Sequence, residues 1–254
     1  MLVTDEFGYG TTPLNPPETV KLAGLGDIEL GARFGLATGP VFRAVLGTMV
    51  RLPTGKKQDD PNNLIDVAPA DGQLDLRVSL DGALEPPGAL GIWFAGAYTI
   101  QFGDQITRRI ARVDQPITPA TAVAVVNRNL GDELTASLSP ALRLTPNFRA
   151  LVTASLYHKG ADRYSMGGAD VPELDALTAQ TIWRFGAGLW YRMDENRRGA
   201  ALPIEAGFVY DRAFFGSGGI APKGGRVMLS LRFFYNLWGT TPAPPPAPAE
   251  PGQS

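Results

Sequence analysis

The side chains with the most chemical potential are arginines and carboxylates that recur two residues apart. Arg33, Arg43, Arg51, Arg77, Arg143, Arg149, Arg184, Arg192, Arg226 and Arg232 each fall on the polar parity of a segment that alternates polar with apolar, and Asp27, Glu29, Asp75, Glu133, Glu205 and Asp211 share that parity. A guanidinium presents a planar fork of donors that fits a carboxylate bidentately, so this set can form a satisfied ionic network inside an enclosure. It can equally line a conduit, where the excess of arginine over acid would favour anions. Gly31, Gly35, Gly47, Gly91, Gly186, Gly188 and Gly207 lie on the same parity and leave room for the long side chains.

Other chemistries are poorly served. The chain has no Cys and a single His, which excludes thiolate zinc sites, iron–sulfur clusters, cysteine nucleophiles, disulfides and three-histidine metal sites. No G-x-S-x-G elbow or G-x-G-x-x-G is present, and Gly55-Lys56-Lys57 lacks the upstream glycine and the Ser/Thr of a phosphate cradle. His158, beside Lys159 near a strand end, is the one candidate base for a lipase; a solvated rim histidine is the plainer reading. Asp59, Asp60 and Asp66 offer hard oxygen ligands for Ca²⁺, though a solvated acidic loop explains them as well. With 23 Lys and Arg against 25 Asp and Glu there is no basic excess for a phosphate backbone. The expectation is a protein that is not an enzyme, needs no cofactor and binds no nucleic acid.

The elements that must position the arginines are strands. A period of two runs through Gly26–Leu36, Phe42–Leu52, Gln73–Leu80, Leu90–Phe102, Glu133–Leu144, Phe148–Leu156, Thr181–Met193, Pro203–Asp211 and Arg226–Trp238, and helical spacing explains none of them as well. No Asp, Glu, Lys or Arg stands on the apolar parity of any of these segments. The 30 Gly point the same way, toward strands and turns. Connections alternate short and long: the short ones are Ala37–Val41, Asp81–Ala89, Thr145–Asn147 and Asp194–Leu202, the long ones Pro53–Gly72, Gly103–Asp132, Tyr157–Gln180 and Arg212–Gly225. An up-and-down antiparallel barrel gives that rhythm, with short turns at one rim and long loops at the other.

Alternation alone does not say whether the apolar parity faces a core or lipid. Residue choice favours lipid. A polar face in bulk water would carry Lys, Glu and Thr, whereas here it carries Arg and Gly, and Lys21, Lys56, Lys57, Lys159 and Lys223 are all expected outside the strands. Aromatic residues gather near strand ends: Trp93, Phe94, Tyr98 and Phe102; Trp183, Phe185, Trp190 and Tyr191; Tyr210, Phe214 and Phe215; Phe233, Phe234, Tyr235 and Trp238. Such girdles mark both interfaces of a membrane barrel. Met49, Trp93, Trp190 and Phe234 fall on the inward parity and could narrow the lumen. The start Met1-Leu2-Val3-Thr4 has no basic, apolar leader, and the longest uncharged stretch, Pro86–Gly103, is too rich in Pro and Gly to be a spanning helix.

Five stretches of sequence sharpen this expectation. Gly24-Leu25-Gly26-Asp27-Ile28-Glu29-Leu30-Gly31-Ala32-Arg33, then Arg51-Leu52-Pro53-Thr54-Gly55 and Asp71-Gly72-Gln73-Leu74-Asp75, resemble the outer-membrane channel family named for the meta-pathway of phenol degradation. That family is distantly related to the long-chain fatty-acid transporters of the outer membrane. Gly131-Asp132-Glu133-Leu134 and Tyr157-His158-Lys159-Gly160-Ala161-Asp162 are similar to it as well. The resemblance implies a Gram-negative outer-membrane barrel of about twelve strands that passes hydrophobic or aromatic compounds by diffusion, and it brings no catalytic residues.

The sequence reading is therefore an all-β, up-and-down antiparallel transmembrane β-barrel with about nine of some twelve strands visible. Residues 1–25 would be the end of an upstream strand plus an external loop, 26–239 the barrel, and 240–254 a Pro/Ala-rich disordered tail; strand parity predicts that one or three strands precede the first. The expected function is a channel for small hydrophobic or aromatic solutes, with outer-membrane lipid and the barrel-assembly machinery as further partners. The alternatives are a structural or surface-binding barrel with a closed lumen, and a soluble lipid-binding barrel.

Overall fold

The computed structural model describes residues 25–55, 70–110, 123–193, 204–219 and 224–233. Every period-two segment forms a strand, and four short strands lie between them. The elements are β1 (Ile28–Thr38), β2 (Phe42–Leu52), β3 (Asp75–Leu84), β4 (Leu90–Gln101), β5 (Asp104–Arg109), β6 (Val123–Asn129), β7 (Glu133–Arg143), β8 (Phe148–Lys159), β9 (Arg163–Met166), β10 (Ala169–Asp170), the single helical turn α1 (Pro172–Asp175), β11 (Gln180–Arg192), β12 (Ile204–Ser217) and β13 (Gly225–Phe233). The chain is all-β and antiparallel throughout its ladders.

Nine long strands make one sheet in the order β1-β2-β3-β4-β7-β8-β11-β12-β13, so each strand lies beside its predecessor once the short strands are set aside. That is the up-and-down order the alternating connections predict. Registers place opposite charges directly across from one another: Glu29 faces Arg51, Arg51 faces Asp75, Arg192 faces Glu205, Glu205 faces Arg232, and Asp211 faces Arg226. Cross-strand pairs of this kind pin a register, because a slip of one residue would move every charge to the apolar face.

The sheet is polarised in the reverse of a water-soluble protein. Leu30, Leu138, Val152 and Leu229, all on the apolar parity, are 61%, 50%, 61% and 77% exposed, while the polar-parity carboxylates Asp75 and Asp211 are 4% and 3% exposed. The small apolar core of Ala141, Leu151 and Val209, against which Trp93 and Trp190 pack, also stands on the polar parity. Curvature follows from the same pair of tryptophans. They sit on β4 and β11, three strand steps apart, which on a flat sheet is about 14 Å, yet their rings are 5.8 Å apart. The sheet therefore curls with its polar parity inside, and a cavity of about 890 Å³ opens there, lined by residues from β1 through β13. Among the described residues the outer edges of β1 and β13 have no partner strand, so the described strands do not close on one another.

Several expectations need correcting. The segments Gly103–Asp132 and Tyr157–Gln180, expected to be loops, carry β5, β6, β9, β10 and α1, and the short strands form a second sheet in the order β10-β9-β6-β5. These pieces are two to seven residues long, too short to show a period. β3, β8 and β12 run beyond their predicted ends, to Leu84, Lys159 and Ser217, because their ladders continue into what reads as turn sequence; Lys159, expected outside a strand, closes β8. The Ca²⁺ candidates Asp59, Asp60 and Asp66, the aromatic residues Phe234, Tyr235 and Trp238, and the terminal segments 1–24 and 240–254 lie outside the described residues. Among the described residues no helix is long and apolar enough to cross a membrane.

Candidate functional site: the concave face

The concave face is built by strands whose inward positions alternate long charged residues with glycine, alanine and serine. Gly207 shows why the small residues matter: a Cβ there would come within 2.2 Å of the Trp190 ring, which lies across β12 at that point. Only glycine lets the indole rest against the backbone.

Ionic clusters stand at three levels along this face. Nearest the long connections, Arg51 donates to Glu29 at 3.0 Å and to Asp75 at 3.1 Å, with Asp71 at 3.7 Å. Around the middle, Arg33 donates to Asp81 at 3.0 Å, and the buried Asp211 accepts from Arg184 at 2.5 Å and from Arg226 at 2.7 Å. Toward the short turns, Glu85 accepts from the Trp93 indole N–H at 3.1 Å and pairs with Arg149 at 2.5 Å and with Arg43. Arg149 also stands 5.6 Å over the Trp93 ring and Arg232 5.7 Å over that of Trp190. Arg192 and Arg232 flank Glu205 at 3.4 and 3.7 Å. The exposed pairs contribute little to stability, about 0–1 kcal/mol each. Those made to Glu85 and Asp211 matter more, since a carboxylate stripped of water depends on its guanidinium partners.

The structure thus brings together most of the predicted residues and separates a few. Among the described residues Asp27 has no arginine partner; it accepts the Gly55 backbone N–H at 2.9 Å. Glu133 takes the Tyr157 hydroxyl at 2.8 Å instead of an arginine. Among the described residues Arg77 and Arg143 have no carboxylate partner, although Arg77 lines the main cavity. Met49 also lines that cavity, away from the tryptophan pair, so the narrowing consists of Trp93 and Trp190 without it. Those two tryptophans, turned inward, leave the expected surface girdle. Of its other described members Tyr98, Phe102, Trp183, Phe185, Tyr210, Phe214, Phe215 and Phe233 are exposed, Phe94 and Tyr191 are half-buried, and Phe185 meets Phe214 and Phe215 edge-on. His158 contacts Thr181 Oγ1 at 2.8 Å from an exposed position, the setting of a rim residue.

Sequence reading missed Glu85, Asp81 and the second sheet's anchor. In that anchor the buried Arg128 donates to both oxygens of Asp104 at 2.8 and 2.9 Å and to the Asp71 carbonyl at 2.9 Å, while Gln73, fully buried, reaches Asp104 at 3.3 Å. Burial would lower the Arg128 guanidinium, but its hydrogen bond to Asp104 and the charges of Asp104 and Asp71 outweigh that and hold it above its ordinary value. Burial, with the charge of Asp162 adding to it, pushes the Tyr164 phenol up. Ile106, Val126 and Val171, on and beside this sheet, are buried. Among the described residues no cluster of His, Cys, Asp or Glu could hold a metal ion. No family model matches the chain, and no curated protein matches it either.

Proposed function

We propose that this chain forms an outer-membrane β-barrel in a Gram-negative bacterium, a channel that passes small hydrophobic or aromatic solutes by diffusion. One observation carries the reading: the sheet exposes its apolar parity along its whole width and turns its ion-paired parity toward a cavity of about 890 Å³. In water such a surface would be an aggregation hazard, whereas in lipid it is the required one. The long strands span nine to fourteen residues, which suits a tilted crossing of the hydrocarbon layer. Exposed aromatic residues sit toward both ends, with Tyr98, Phe102 and Trp183 near the long connections and Phe42, Phe148 and Phe233 near the short turns. A soluble lipid-binding barrel would need the apolar parity inside.

A second reading, a structural or surface-binding barrel with a shut lumen, draws on the Trp93–Trp190 pair and the Glu85 cluster, which narrow the short-turn end. Planar-bilayer recording on the refolded full-length protein separates the two. The channel reading predicts discrete conductance steps that fall as catechol is added and occupies the lumen. A protein that runs as a folded, heat-modifiable band yet gives no conductance would leave the shut barrel standing.

A further inference from the structure

Four arginines line the main cavity, and three of them already have carboxylate partners. Arg33 is held by Asp81 at 3.0 Å, and Arg184 and Arg226 share Asp211. Arg77 has no carboxylate within ion-pair distance among the described residues. The acids that line the two cavities it borders are engaged elsewhere: Asp81 by Arg33, Glu29, Asp75 and Asp71 by Arg51, and Glu133 by the Tyr157 hydroxyl. Two guanidinium groups on one Asp211 carboxylate add a further surplus of positive charge beside the same space.

The placement of Arg77 gives that surplus a shape. It stands near the start of β3, with Met49 of β2 and Thr99 of β4 directly across from it. It lines both the main cavity and a smaller one of about 160 Å³ next to it. On the main cavity's side the wall carries Ala95, Ala97, Ser137 and Tyr157, and on the smaller cavity's side it is charged, with Arg51, Asp75, Glu133 and Lys159. A guanidinium without an ion-pair partner, facing a cavity with small and aromatic residues in its wall, is complementary to one carboxylate on a compact apolar body, and the cavity is of a size that holds such a molecule.

We propose that the cavity binds small organic monocarboxylates, with the Arg77 guanidinium holding the carboxylate and the alanine- and tyrosine-bearing wall receiving the apolar body. The proposal rests on the reading of the cavity as a solute path and narrows the solutes from apolar compounds in general to apolar acids.

The test is isothermal titration of the full-length protein, folded in an uncharged detergent near neutral pH, with benzoate and with its neutral analogue benzamide. Wild type should bind benzoate about tenfold or more tightly than benzamide, the difference expected for one charge-assisted contact. Arg77→Gln should bring the two affinities together, and Arg77→Lys should keep part of the preference. Equal binding of the two probes by wild type, or no saturable binding of benzoate, would overturn the proposal without any variant being needed. So would a preference that survives in folded Arg77→Gln. Conductance of the same preparation is read separately: steps without benzoate preference remove this proposal alone, and absence of steps removes the channel reading while benzoate binding still stands or falls by titration.

Discussion

Glu85 gathers more partners than any other carboxylate on the concave face, although it lies in a stretch that reads as a turn. It is 11% exposed at its side chain and holds Arg149, Arg43 and the Trp93 indole N–H together. Removing it would leave two guanidinium groups beside each other and an indole donor without its acceptor. Glu85→Ala should lower stability by roughly 2–3 kcal/mol, below the value for a fully buried pair because Arg43 is partly exposed. It should also raise single-channel conductance by loosening Trp93 from Trp190; an unchanged denaturation midpoint and unchanged conductance would remove Glu85 from this role. Most of the arginine network was legible, because strand parity put Arg51 with Glu29 and Asp75, and Arg226 with Asp211, on one face. Glu85 and Asp81 were hidden by a strand end placed too early. Continuing the odd parity of Arg77 and Ser79 through Asp81 leads to Glu85, and its backbone N–H still bonds Val41 O at 2.7 Å, so the ladder had not ended.

Long period-two segments and short pieces behave differently at the scale of elements. A strand of eleven residues such as β2 shows its parity several times over, so all nine long strands could be placed from sequence. β5 and β6 could not, since Asp104–Arg109 and Val123–Asn129 mix charges with β-branched residues over a few positions and their pairing depends on tertiary contacts. What fixes the second sheet is Arg128, which ties β6 to β5 through Asp104 and to the β2–β3 connection through the Asp71 carbonyl. Arg128→Met keeps the length of the side chain and removes its hydrogen bonds to Asp104 and to the Asp71 carbonyl. The expected outcome is faster limited proteolysis within 104–129 and 163–170, while the heat-modifiable migration of the nine-stranded sheet is unchanged. If cleavage in those segments stays at the wild-type rate, Arg128 does not anchor the second sheet. The same contact carries a charge consideration: with Arg128 held above its already high ordinary value, its guanidinium stays cationic at any pH the protein would meet.

For the molecule as a whole the decisive property is which side of the sheet meets water, and adjacent residues on β7 isolate it. Leu138 is on the apolar parity and 50% exposed, whereas Ser137, one position earlier, lines the cavity. In a protein that buries its apolar parity against a core, arginine at 138 would destroy packing and arginine at 137 would sit in solvent, so Leu138→Arg would be insoluble or unfolded in any medium. In a barrel in lipid the penalty has a different origin and a different reach. Leu138→Arg should cost about 2–4 kcal/mol of folding stability in a bilayer, most near the midplane and less near either interface. Ser137→Arg should insert as wild type does, because the cavity has space and its arginines and acids already tolerate charge. Moving the arginine along the apolar parity of β7, from 138 toward 134 or 142, should then recover stability with distance from the centre. That depth dependence belongs to lipid alone, since a protein core gives no reason for the ends of one strand to be more permissive in step with membrane depth. Titration of the variants folded into vesicles of constant thickness reads it directly. A flat profile along β7, or a Ser137→Arg that fails where Leu138→Arg succeeds, would reverse the assignment of faces on which the channel reading depends.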